Sequence, residues 1–179
     1  MPDIVEIIKE QHRQVEDLLT RAEKGGDDSA ALMREVARML LPHSEAEESF
    51  VYPRIRDLAE EAGEEVKDGA VEHHQVEEML KNLLRGDSGD PGYDGTVAAI
   101  AGELRHHVQE EEEELLPILA DRLDAAERAE MGRRFAEATS GSADHATTRR
   151  ELYEMARDQD IHGRSRMNKQ ELAEAVGES

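Results

Sequence analysis

Residues 12–19, His-Arg-Gln-Val-Glu-Asp-Leu-Leu, return as residues 73–80, His-His-Gln-Val-Glu-Glu-Met-Leu. Residues 40–47, Leu-Leu-Pro-His-Ser-Glu-Ala-Glu, line up in the same way with residues 104–111, Leu-Arg-His-His-Val-Gln-Glu-Glu. Each copy sits among apolar residues spaced three and four apart, the period of a helix face. The chain therefore reads as two copies of a helical hairpin. Each copy gives one lone histidine and one His-x-x-x-Glu pair. Outward from these stretches, Asp3 caps an apolar stripe that runs from Ile4 to about residue 24 and stops at Gly25-Gly26. A second stripe runs from Ser29 towards Gly63, kinked or broken near Pro42 and Pro53. A third spans Glu64 to Arg85 and ends in the turn formers of residues 86–92, and a fourth spans Thr96 to about Leu123. A shorter helix covers Ala125 to about Ala138. No segment alternates with period two. The expected fold class is all-α, an up-and-down antiparallel four-helix bundle with a short fifth helix over residues 1–138. Residues 139–146 read as a linker and 147–179 as a small helical C-terminal module.

Composition narrows the chemistry. The chain has 179 residues and a formal net charge of −21, which opposes a polyanion-binding surface over the whole molecule. Cysteine is absent, so disulfides, Cys-ligated zinc, iron–sulfur clusters and thiol catalysis are excluded together. There are five aromatics and no tryptophan, too few for a base-stacking groove in the bundle. No apolar run has membrane-spanning length and no leader pattern is present, so the expected location is cytoplasmic. Function has to reside in histidines and carboxylates.

The repeat selects among them. Residues four apart lie one turn above each other on a helix, so His43 with Glu47 and His107 with Glu111 point inward together. Pairing the two hairpins brings His12, His43, Glu47, His73, His107 and Glu111 to one place. His74 aligns with Arg13 and His106 with Pro42, so both fall outside the repeated set. The run Glu110 to Glu114 wraps around a helix, and only Glu111 has a repeat partner, in Glu47; the other four are read as solvated. Burying four imidazoles and two carboxylates with nothing between them would leave unpaired charges costing several kcal/mol. A pair of cations removes that cost, with the glutamates reaching across the axis and the imidazoles capping from outside.

In this pattern the sequence resembles the hemerythrin-like proteins with an HHE cation-binding domain, over about residues 1–138. The likeness is carried by His12, His43-x-x-x-Glu47, His73 and His107-x-x-x-Glu111 in order, with Val-Tyr-Pro and Leu-Leu-Pro following the two glutamates. It implies a non-haem di-iron centre: two iron ions, carboxylate-bridged by Glu47 and Glu111 and oxo- or hydroxo-bridged, with the four histidines terminal. The oxygen-carrying members have a second histidine one turn along the third helix, where this chain has Glu77. Glu16 stands one turn after His12. Each of these two glutamates is open to three roles: ligand, hydrogen-bond partner of a ligand, or solvated side chain. Tyr52, whose repeat counterpart is Leu116, is the candidate catalytic residue. Its phenol either contacts the metal or is a core aromatic with its hydroxyl on a backbone carbonyl.

Residues 147–179 hold six Lys or Arg against seven Asp or Glu, near balance, whereas the preceding residues carry nearly all of the acidic excess. This segment resembles the N-terminal module of transcription terminator Rho, a helix, extended loop and helix. By that likeness Arg164, Ser165, Arg166 and Lys169 would touch nucleic acid, although its charge suits protein docking at least as well. The functions expected are reaction with a small oxidant (hydrogen peroxide, dioxygen or nitric oxide), with catalase-like disproportionation first. The alternative is a non-enzymatic sensor or binding protein that signals through the C-terminal module.

Overall fold

A computed structural model describes residues 3–26 and 28–140, with Arg157, Ile161, Leu172, Ala175 and Val176 beyond them. The expected linker from residue 141 onward and the 147–179 module lie outside the continuously described residues. The chain divides into two units, Met1–Ser142 and Ala143–Ser179.

Helix α1 spans Ile4–Ala22 and opens with a capping box: the Glu6 amide donates to Asp3 Oδ1 at 3.1 Å and the Asp3 amide to Glu6 Oε2 at 3.2 Å. Gly25 and Gly26, at φ of 71° and 104°, turn the chain into α2, Ser29–Ala46. Pro42 lies inside α2 without ending it. The break expected there is absent, and Pro53 acts instead. A π turn at Glu47–Val51 joins α2 to α3, Tyr52–Leu58, where Pro53 occupies the first turn. The second hairpin repeats this: α4 spans Gly63–Arg85, α5 Tyr93–Glu110, then comes a π turn at Glu111–Leu115 and α6, Leu116–Arg122, with Pro117 in its first turn. Proline has no amide hydrogen and crowds the carbonyl four residues back. The ladder widens by one residue ahead of each proline, so the Tyr52 amide donates to the Glu47 carbonyl and the Leu116 amide to that of Glu111. Both π turns therefore begin on the glutamate of a His-x-x-x-Glu pair.

The fourth long helix starts at Tyr93, three residues earlier than expected, because Gly92 at φ 92° supplies its left-handed lead-in. The last helix, α7, runs Ala125–Ser140, taking in two residues expected to be linker. It packs on α1 and α2 and inserts the fully buried Phe135.

The apolar interior is split. One cluster gathers Val15, Leu19, Val36, Leu40, Val76, Leu80, Ile100 and Leu104; the other gathers Ile4, Ile8, Val51, Ile55, Val66, Leu116, Leu119 and Phe135. On α1, His12 lies between Ile8 of one cluster and Val15 of the other; on α5, His107 lies just beyond Leu104 of the first. A polar layer thus crosses the bundle between two dry halves. At roughly 1.5–3 kcal/mol per fully buried large aliphatic side chain, these halves hold that layer in place.

Candidate metal centre

All six side chains singled out by the repeat meet in this layer. None is more than 6% exposed, and Glu47 is fully buried. The imidazoles approach through Nε2. His43 Nε2 stands 2.9 Å from Glu47 Oε1, and His73 Nε2 stands 3.4 Å from Glu47 Oε2, so this carboxylate spans the two hairpins. Glu111 Oε2 lies 3.2 Å from His12 Nε2 and 4.0 Å from His107 Nε2. The His73 and His107 Nε2 atoms are 2.9 Å apart. Two overlapping donor groups result, His12–His43–Glu47–Glu111 and Glu47–His73–His107, within each of which the ligand atoms lie within 4.8 Å of one another.

The outer nitrogen of every imidazole is anchored. His12 Nδ1–H donates to Glu112 Oε1 at 2.9 Å and His73 Nδ1–H to Glu48 Oε1 at 3.0 Å. His43 Nδ1–H donates to Gln11 Oε1 at 2.8 Å and His107 Nδ1–H to Glu72 Oε2 at 2.9 Å. These partners obey the repeat: each lone histidine is held by the residue after the glutamate of the His-x-x-x-Glu pair in its own neighbour set, and each paired histidine by the residue before a lone one. The arrangement orients the rings and aims all four Nε2 atoms at the layer. Phe135 meets the His43 ring edge-on at 5.3 Å, and Tyr52 stacks on His73 at 5.6 Å.

Electrostatics here is dominated by burial. Burial pulls the His12 imidazole down, but the close ionic contact with Glu111 at 3.2 Å, joined by Glu47 and Glu112, outweighs it and holds its pKa at about 9. Burial and the neighbouring His12 charge push His43 down to about 3. Burial raises Glu47 well above the carboxylate range and the Glu111 charge adds to this, whereas Glu111, for all its burial, is held at about 2 by His12 and by the charges of His107 and His43. Burial and then the charges of Glu111 and Glu47 raise Tyr52, so its phenol keeps its proton.

The residues fit a pair of cations. His12 Nε2 and both oxygens of Glu47 and of Glu111 are buried without a hydrogen bond. Such orphaned groups are rare in folded proteins, and here they face one point. Nitrogen and carboxylate donors without sulfur suit iron, manganese or zinc alike. Residues 3–119 match the hemerythrin HHE cation-binding domain.

The chain belongs to the hemerythrin HHE cation-binding family. Its two His/Glu clusters are consistent with a non-haem di-iron site. A hemerythrin HHE cation-binding domain-containing protein of Mycobacterium kansasii has a similar crystal structure, with TM-score 0.69, 22% identity and coverage of 98% of this chain and 99% of that one. A DNA nickase of Nostoc sp. is 24% identical over 141 residues, 77% of this chain. The chain spans about two-fifths of that curated relative, 39% of its length. Residues 146–178 match the N-terminal domain of Rho termination factor. No helix among the described residues is long and apolar enough to cross a membrane.

Other candidates fall outside the HHE layer. His74 and His106 are exposed. Glu16 binds Arg105, with Nη2 at 2.9 Å, and Glu77 binds Lys81 at 2.7 Å, so neither glutamate joins the cluster. Tyr52 is 2% exposed and its hydroxyl has no hydrogen bond, so it makes no bond to a backbone carbonyl. The solvated reading of Glu112 is corrected: it is half-buried and orients His12, because the π turn starting at Glu111 rotates the next residue towards α1. Glu48, Gln11 and Glu72 were not singled out by sequence reasoning. Their signal was available, since each flanks a repeated His or Glu at a matching offset.

Proposed function

We propose that this HHE domain holds two iron ions through His12, His43, Glu47, His73, His107 and Glu111, with both glutamates shared, and that it is a binding protein for a small oxidant: dioxygen, nitric oxide or hydrogen peroxide. The observation that carries the reading is the convergence of four anchored imidazoles through Nε2 and two orphaned carboxylates on one buried layer. A non-haem di-iron pair bound there supplies redox-active coordination positions for a molecule of two to four atoms. The chain's own residues set the conditions. Val15, Leu40 and Leu104 border the layer on the side of His12, His43 and His107, with a cavity of about 10 Å³ between them. Occupancy of the layer would set the stability of the bundle, and the Rho-like segment would report it to nucleic acid or protein.

A second reading, catalase-like disproportionation, is favoured by Tyr52, which keeps a buried, unpartnered proton beside Glu111. Iron-loaded protein separates the two. Binding predicts an absorption spectrum that shifts with nitric oxide or dioxygen while added peroxide is consumed no faster than by the metal-free chain. Sustained peroxide loss with oxygen release, slowed in Tyr52→Phe, supports the second reading instead. Deleting residues 141–179 should leave iron content and the spectral shift intact.

A further inference from the structure

The layer is sealed by apolar residues above and below, so a cation has to enter it from the side. Between α4 and α5, at the second π turn, a cavity of about 110 Å³ opens outward. Its outer wall carries Asp68, Glu72, Glu110 and Glu114, and its inner end is formed by His107 and Glu111 of the layer itself. Glu111 is 1% exposed and neither of its oxygens has a hydrogen bond, so an orphaned carboxylate lies at the bottom of an acidic funnel. Gly69 forms part of the wall, and a Cβ there would come within 3.0 Å of Tyr52 Oη. Glycine at this position keeps a gap beside the phenol.

At the outer rim a second donor group is already assembled. Glu72, His106 and Glu110 place one ligand atom each within 4.8 Å of one another. His106 Nε2 lies 3.3 Å from Glu110 Oε1, and Glu72 uses Oε2 to hold His107 Nδ1 at 2.9 Å. Glu72 therefore belongs to both groups, one outside and one adjoining the layer.

We propose that this cavity is the uptake route for divalent cations, with Glu72, His106 and Glu110 as a transient outer site from which a cation passes along the acidic wall to Glu111. The inference rests on the metal-binding reading above and adds the path and the first stop. Acidic walls around a narrow, low-dielectric opening concentrate cations and raise their rate of arrival by about 10–1,000-fold, an effect that salt removes. His106, excluded from the central set by the repeat, thereby gains a role at the rim.

The test uses the metal-free full chain and cobalt(II) alone as probe, followed by its visible absorbance in stopped flow. Asp68→Asn/His106→Ala/Glu110→Gln/Glu114→Gln should load about tenfold more slowly than the unmodified chain at low ionic strength, the gap closing at high salt, with the same final number of ions bound. His106→Ala/Glu110→Gln should account for a measurable part of the slowing. Glu10→Gln/Asp17→Asn/Glu35→Gln, which removes the same number of negative charges from α1 and α2, should load at the unmodified rate. Equal slowing in both sets assigns the effect to net charge and overturns the route; unchanged loading in the first set overturns it too. Either result leaves the central site standing, whereas an unmodified chain that binds no cobalt overturns both readings.

Discussion

His43 hydrogen-bonds the carboxamide of Gln11 at 2.8 Å where its repeat counterpart His107 hydrogen-bonds the carboxylate of Glu72 at 2.9 Å. The two hairpins are otherwise matched, with His12 on Glu112 and His73 on Glu48. A carboxylate behind an imidazole makes it the more basic donor, and an amide only orients it. The two halves of the centre are thus unequal, with carboxylates behind both His73 and His107 but behind only one of His12 and His43.

The first prediction follows from that inequality. Titration of the metal-free chain with cobalt(II) should show two steps, the tighter at the His73 and His107 end. Gln11→Glu should draw the steps together, and Glu72→Gln should weaken the tighter one by about 10–100-fold. Unchanged affinities in both variants would mean that the outer partners play no part in binding strength.

A second prediction concerns the ligand register. Replacing His12, His43, Glu47, His73, His107 or Glu111 singly by alanine should lower the iron content of the purified protein. His74→Ala and His106→Ala should leave the final content unchanged, because both side chains are exposed. Loss of iron in His74→Ala with retention in His73→Ala would require α4 to be rotated.

The third concerns protons. Without metal, His12 at about 9 is protonated at pH 7, and burial and the Glu111 charge disfavour ionisation of Glu47. A cation needs His12 neutral and Glu47 ionised, so loading should release protons, and affinity should fall as pH falls below 9. Dye-monitored titration in weak buffer measures the release directly. Absence of any proton release at pH 7 would contradict the pairing of His12 with Glu111.

The same pairing bears on the stability of the metal-free bundle. The folded pKa of His12 lies above its ordinary 6.5, so its contribution is full below about 6.5 and is lost as pH rises through 9. Metal should make up that loss and more. Cation at a hundredfold excess over the dissociation constant should add at least about 2.7 kcal/mol, seen as a higher melting temperature that chelation reverses. Melting curves that coincide with and without metal would remove the argument that the layer needs cations.

Helix α7 offers a fifth test. Thr139 Oγ1 accepts from Gln11 Nε2 at 3.0 Å, and Phe135 presses on His43, so the last helix props the His12 and His43 side of the layer. Phe135→Ala should cost about 3–5 kcal/mol of stability and weaken the looser cobalt step more than the tighter one. Equal loss at both steps would assign Phe135 to packing alone.

The four long helices and the six converging side chains were legible in the sequence because the repeat supplied a second reading of each position. His12 and His73 confirmed each other, and His74 failed against Arg13. The π turns were not legible: periodicity counts residues on a face, whereas the extra residue at Glu47–Val51 and Glu111–Leu115 shifts the face itself. That shift is why Glu112 was set among the solvated acids. The docking of α7 was hidden for a different reason. Its buried residues are few, and a stripe as sparse as Gly132 and Phe135 says that a helix packs without saying where.

The central claim is tested most directly by counting metal. Full-length protein purified after expression with iron, or reconstituted with ferrous iron without oxygen and then exposed to air, should hold two iron ions per chain, with near-ultraviolet charge-transfer absorption. Glu47→Ala/Glu111→Ala should hold none while keeping its helical circular dichroism. A folded, unmodified chain that binds less than one iron per molecule, or that holds as much in the double variant, would contradict it.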